Sequence, residues 1–239
     1  MPHASKPHDP AKMHLILMLV LTFSTGIIDA VGYLGLDRVF TGNMTGNVVI
    51  LGMALMGADG LPVLGPSVAL VGFVAGAAIA GRVLKNESAG WSRRTMALIA
   101  VVGACLVLTA IALFAGVHHA AQSAALSVTG FIAAAMGLQA GTARHLAVKD
   151  VTTVVVTSTL TGLAADSPLG GGSGKYWERR LLAVALILLG AAAGAALLQV
   201  HIGLGVLFTG LLAIAVALVG ERSRRQVEQA EVLVQARSL

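Results

Sequence analysis

The sequence predicts an all-α polytopic membrane protein with six transmembrane helices, two short re-entrant or half-spanning helices, and an inverted 3+3 repeat. Three observations carry that prediction. Hydrophobic residues make up 56% of the 239 positions and charged ones 11%, with a mean hydropathy of +0.86, which excludes an ordinary soluble domain. Apolar runs near the roughly 20 residues a bilayer demands recur along the chain. Finally, the Lys and Arg residues sort to one side of those runs.

The first run, about 13–36, follows a polar stretch over 1–12. It is too long for a signal-peptide core and lacks a convincing small-residue cleavage site, so an uncleaved first span is expected. Further runs lie at about 66–84, 95–115, 121–143, 180–200 and 202–220. Rich in Leu, Val, Ala and Gly without polar alternation, they read as helices rather than barrel strands. Cys105 falls inside the third run and reads as a small core hydrophobe. Two shorter apolar segments, about 43–57 and 152–165, span roughly 22 Å as helices, short of a ~30 Å hydrocarbon core.

Charge decides how the short segments are counted. With six spans and a cytoplasmic N-terminus, fifteen of the sixteen basic residues lie inside and only Arg38 lies outside. Counting the short segments as full spans moves the Arg82–Arg94 group and the Arg144/Lys149 pair outside, against the positive-inside rule. Both termini are therefore expected in the cytoplasm. The formal charge of +5 is scattered between spans, which argues against a nucleic-acid partner.

The short segments resemble each other. Thr41, Thr45, Val49 and Leu51 align with Thr153, Thr157, Thr161 and Leu163, while Gly72-x-x-x-Gly76 aligns with Gly190-x-x-x-Gly194. Two units follow, 13–115 and 121–220, flanked by tails over 1–12 and 221–239. Three crossings per unit invert the second relative to the first, an arrangement recurrent in transporters. The tail over 221–239 is charged and reads as a short cytoplasmic helix.

Candidate functional residues are the polar ones that lipid makes costly. Asp29 lies two-thirds along the first span; it could titrate or bind a cation, or tie down a helix end. Twelve residues later comes the doubled block Thr41-Gly42-Asn43-Met44-Thr45-Gly46-Asn47. Its pairs are spaced i, i+4, so on a helix each forms a stripe. On that reading Gly42 and Gly46 admit a close neighbour, while Asn43, Thr45 and Asn47 line a pathway. Thr157 and Thr159 are the second-unit counterparts, and Gln139 stands near the position equivalent to Asp29. Gly72, Gly76, Gly190 and Gly194 read as helix-packing residues. His118 and His119 read as a solvated loop pair. Asp150 reads as an N-cap of the second short helix. The glycine-rich run 170–174 reads as a flexible linker, because Tyr176 follows Lys175 where a phosphate loop needs Ser or Thr. No catalytic set, metal cluster or cofactor motif emerges, so neither an enzyme nor a bound cofactor is expected.

The run Thr25-Gly26-Ile27-Ile28-Asp29-Ala30, the block Val39-Phe40-Thr41-Gly42-Asn43-Met44-Thr45-Gly46-Asn47 and the later Val156-Thr157-Ser158-Thr159-Leu160-Thr161 resemble the YoaK-like family of bacterial inner-membrane proteins. The likeness extends over about 13–220, though Ser158 stands where glycine is usual. It implies a six-helix integral membrane protein and supplies neither a substrate nor an activity. The polar constellation itself points to a small permease, a proton-coupled carrier of a small polar or anionic solute. A passive channel and a non-transporting membrane scaffold stay open beside it. The Gly-x-x-x-Gly faces suit a homodimer as well as packing within one chain.

Overall fold

A computed structural model describes residues 10–88, 90–146 and 156–237. The helices, in chain order, are α1 (Pro10–Gly35), α2 (Met44–Leu55), α3 (Leu64–Leu84), α4 (Arg93–Phe114), α5 (Val117–Ala120), α6 (Gln122–Leu146), α7 (Val156–Ala165), α8 (Trp177–Val200) and α9 (Ile202–Arg237). Six of them, α1, α3, α4, α6, α8 and α9, are long and apolar enough to cross a membrane, and α2 and α7 are the short apolar helices. Large aliphatic side chains such as Val71, Leu108 and Leu188 point outward, as expected where lipid rather than water surrounds the bundle.

Three helix pairs form the framework: α1 with α8, α3 with α6, and α4 with α9. Glycine makes each possible. A Cβ placed on Gly72 or Gly76 would run into the carbonyl oxygens of Gly130 and Ala134 on α6. One placed on Gly190 or Gly194 would run into those of Phe23 and Ile27 on α1. Gly103 and Gly210 face one another's carbonyls where α4 crosses α9. With lipid tails as apolar as leucine, such close backbone approach is the main source of association between spans.

Two expectations need correction. The charged tail continues the last span rather than forming a short helix of its own, because α9 runs unbroken from Ile202 to Arg237. Glu221 pairs with Arg224 and Arg225, and Arg224 with Glu228, at i, i+3 and i, i+4 spacing. Such pairs support a helix as it leaves lipid, and Gly220 is held inside it against Trp91 and Met96. Nor is the glycine-rich run a loose linker. Pro168–Gly170 forms a 3-10 turn, and the amides of Gly170, Gly172 and Gly174 bond back to Ser167 and Asp166. Arg180 of α8 closes the same end, reaching the Gly162 carbonyl and the Asp166 carboxylate at 2.6 Å each. The expected cap at Asp150, and Thr153 with it, lie outside the described residues.

Candidate functional site

The chain leaves α1 at Gly35 and turns back on itself. Asp37 and Arg38 both adopt left-handed backbone, φ 58°, an uncommon conformation for residues other than glycine and one that marks a tight reversal. Arg38 secures the turn by donating to the Gly60 carbonyl at 3.1 Å. The returning strand of chain then reaches Asp29, six residues before the end of α1. There the Asp29 Oδ1 accepts three successive backbone N–H groups, from Thr41 (3.1 Å), Gly42 (2.6 Å) and Asn43 (3.2 Å). Consecutive amides around one anionic oxygen, just ahead of the start of α2, form the concave donor set that favours an anion.

Five of the six Thr, Gly and Asn residues of the doubled motif, all but Thr45, have a geometric task in this reversal. The Thr41 hydroxyl donates to the Ile28 carbonyl of α1 at 3.3 Å. Gly42 lies close against Asp29 and the Thr25 methyl. Asn43 caps α2, its Oδ1 accepting from the Gly46 amide at 3.3 Å. Asn47, fully buried, reaches back to Phe40 twice: its Oδ1 accepts from the Phe40 amide at 2.9 Å, and its Nδ2 donates to the Phe40 carbonyl at 2.6 Å. Gly46 leaves room for the Phe40 ring, which stacks on Tyr33 at 4.8 Å. Non-helical backbone at membrane depth needs its polar groups paired within the protein, and this block supplies the pairs.

A second polar element lies alongside. Gln139 of α6, 1% exposed, donates from Nε2 to the Thr25 hydroxyl at 3.3 Å. Thr25 in turn donates to the Leu21 carbonyl at 2.9 Å. The Gln139 Oε1 is enclosed and has no hydrogen-bond partner among the described residues. Thr25 precedes Asp29 by one helical turn, so both share a face of α1. Gln139, Thr25 and Asp29 thus form a row joining α6, α1 and the re-entrant loop.

The sequence-level assignment of i, i+4 stripes to Thr41–Asn47 is therefore corrected. Helix α2 begins only at Met44, so Thr41, Gly42 and Asn43 belong to the loop and their side chains do not stack above those of Thr45, Gly46 and Asn47. Asn43 is exposed and Thr45 is exposed, while Asn47 is buried and bonded to the loop. The structure brings Asp29, Gln139 and the loop together. It places Thr157 and Thr159 elsewhere: among the described residues α7 lies against α8 and the 3-10 turn, with Thr157 exposed and its carbonyl accepting from the Thr161 hydroxyl at 2.9 Å. Thr25 was not singled out as a site residue, although its position four before Asp29 is the signal that finds it.

A family model described as "Protein of unknown function (DUF1275)" matches residues 17–220. The chain belongs to this family. It is also 36% identical over 157 residues to "UPF0700 transmembrane protein YoaK" of Bacillus subtilis (strain 168), a match covering 63% of this chain and 65% of that protein's length. No solved structure matches it. Residues 17–220 of this chain include Asp29, the doubled Thr-Gly-Asn block and Gln139. Membership fixes the class of a multi-helix membrane protein.

Proposed function

We propose that this protein is a small permease, a proton-coupled carrier of a small polar or anionic solute, with the Asp29 clamp as its coupling element. The observation that carries the reading is the Gln139 carbonyl oxygen, buried between helices without a partner. Leaving a buried acceptor unpaired costs about 1–3 kcal/mol, and such groups call for an explanation. A solute bearing a hydrogen-bond donor would satisfy it. The mechanism follows from the neighbouring carboxylate. As an anion Asp29 holds three amides; a proton on it weakens all three bonds, since charge-assisted bonds are about twice as strong as neutral ones. The loop then loosens from α1 beside the Thr25–Gln139 pair, giving the solute a way to Gln139.

The packing scheme supports an inverted repeat for this carrier. Exchanging α1 with α6, α3 with α8, and α4 with α9 turns the α1–α8 pair into α6–α3 and leaves α4–α9 unchanged. The glycines obey the same exchange, since Gly72 and Gly76 meet residues 130 and 134 while Gly190 and Gly194 meet residues 23 and 27. Carriers with such repeats rock one half against the other around a central site. The basic residues, fifteen of sixteen on one side under this topology, support cytoplasmic termini in an inner membrane.

The test is uptake into proteoliposomes under an imposed pH gradient, with Asp29→Asn and Gln139→Leu beside wild type. The wild-type flux should follow the gradient, Asp29→Asn should lose the gradient dependence, and Gln139→Leu should remain folded and lose flux. Retention of gradient-driven uptake by Asp29→Asn would sink the coupling role. A second reading, in which Asp29 is structural in a passive pore or a scaffold, is favoured by the commitment of Asp29, Asn43 and Asn47 to closing the loop. It requires Asp29→Asn to lower thermal stability with no pH-gradient effect on any flux.

A further inference from the structure

A cavity of about 460 Å³ opens at the Gly35 end of α1, apart from the buried row. Its lining comes from four places in the chain. Gly35, Leu36 and Asp37 close α1; Pro62 to Gly65 open α3; His118 and His119 belong to α5; and Gln122 to Thr129 begin α6. The volume falls in the range of small-molecule sites.

We propose that this cavity binds a small zwitterion with an apolar side chain, the class of the neutral α-amino acids; this rests on the permease reading and names its solute. The two charges of such a molecule have separate complements. On one wall stand the Asp37 carboxylate and the C-terminal end of α1, where the helix dipole is negative and a cation is favoured. Arg38, the adjacent base, is turned to the Gly60 carbonyl and leaves Asp37 available. Other walls carry hydrogen-bond donors. Gln122 offers an amide, and the His118 Nδ1 is enclosed without a hydrogen-bond partner. Burial, with His119 and His201 nearby, holds His118 below the usual imidazole range. The first turn of α3 has no side-chain cap at Val63, leaving N–H groups of Leu64 and Gly65 beside the cavity. Leu36, Pro62, Val63 and Leu126 supply apolar surface for a side chain.

The cavity also sits on the route to the clamp. Gly65 lines it, and a Cβ there would meet the Val39 methyl. Val39 packs in a small buried cluster with Ala69 and Ala133, two residues before Thr41. This apolar cluster adjoins the cavity through Gly65 and runs into the loop that Asp29 holds through Val39.

The experiment is a thermal-shift titration of the purified full chain with L-leucine, L-leucine methyl ester and N-acetyl-L-leucine. The ester lacks the carboxylate and the acetyl form lacks the ammonium. L-leucine should raise the melting temperature and both blocked forms should not. Asp37→Asn, which suits the left-handed backbone there, should abolish the shift while leaving the unliganded melting temperature unchanged. Val63→Asp, which places a second carboxylate against the ligand's own at the start of α3, should abolish the shift. A shift with either blocked form equal to that with L-leucine, no shift with L-leucine, or a shift undiminished in Asp37→Asn would overturn the proposal. Proteoliposome flux separates this from the permease reading: binding of L-leucine without uptake upholds the cavity and defeats transport. Gradient-driven uptake of another solute with no L-leucine shift defeats the cavity's assignment and leaves transport standing.

Discussion

Replacing Asn47 with alanine removes both bonds that tie the re-entrant loop to the start of α2. The Phe40 amide and carbonyl then lose their partners in a partly buried setting where water is scarce. An unpaired buried backbone group costs about 1–3 kcal/mol; taking the low end of that range, about 1–1.5 kcal/mol, for each of the two bonds, the loop loses about 2–3 kcal/mol of local stability. At about 1.4 kcal/mol per factor of ten, local opening becomes about 30- to 150-fold more frequent. Hydrogen exchange read at single amides measures it directly, because protection reports the free energy of local opening. The Phe40 amide should exchange faster by that factor, followed by Thr41 and Gly42 as the loop leaves Asp29. Asn47→Asp keeps the acceptor for the Phe40 amide and sets a carboxylate oxygen against the Phe40 carbonyl, so it should do no better. Asn43→Ala is the control: it removes the cap of the Gly46 amide, worth about 0.5–2 kcal/mol, and should leave Phe40 protected. Phe40 exchange within threefold of wild type in Asn47→Ala would refute the clamp.

Gly46→Ala should destabilise by about 1–3 kcal/mol, because its Cβ meets the Phe40 ring. Gly52→Ala, where nothing stands within 4 Å, should stabilise α2 by about 0.5–1 kcal/mol; thermal unfolding in detergent separates the two. Gly137→Ala should weaken the α3–α6 pair, since its Cβ would enter the Phe73 backbone, whereas Gly81→Ala meets open space and should be tolerated. Gln139→Leu removes the unpaired Oε1 acceptor, a cost of about 1–3 kcal/mol, together with the Nε2 donation to Thr25, a gain of about 0.5–1.5 kcal/mol, so the stability should stay within about 1 kcal/mol of wild type. A melting temperature lowered well beyond that would make Gln139 a structural residue.

Much of the architecture was legible because it depends on hydrophobic length. The run expected at 121–143 is α6, Gln122–Leu146, and the short segment expected at 43–57 is α2, Met44–Leu55. The tail after Gly220 was misread because charge was taken as the end of a helix, when Glu221, Arg224, Arg225 and Glu228 are spaced to prolong one. The site was legible only in its membership. Asp29 and the doubled Thr-Gly-Asn announce themselves as polar residues in lipid, but spacing alone cannot say whether positions 41–43 are helix or loop. That choice turns on a carboxylate twelve residues upstream, a tertiary contact to which local periodicity is blind. Thr25 was missed for a related reason: a threonine within a span normally bonds back to its own helix, as it does here with Leu21, and only the approach of Gln139 from α6 distinguishes it. The cavity at the Gly35 end gathers residues from 35 to 129, beyond the reach of any short motif.

The Asp29 clamp also bears on how the chain enters the membrane. A translocating machine meets α1 before the loop exists, and an aspartate within a span then carries a penalty of up to about 2.5–3.5 kcal/mol. The three amides that answer it are made twelve to fourteen residues later. First span and loop are therefore favoured to partition into lipid together, once the first Thr-Gly-Asn, residues 41–43, has followed α1. A chain arrested between residues 36 and 40 would present a carboxylate with nothing to receive it, and quality control would see an unfinished helix rather than an anchored one.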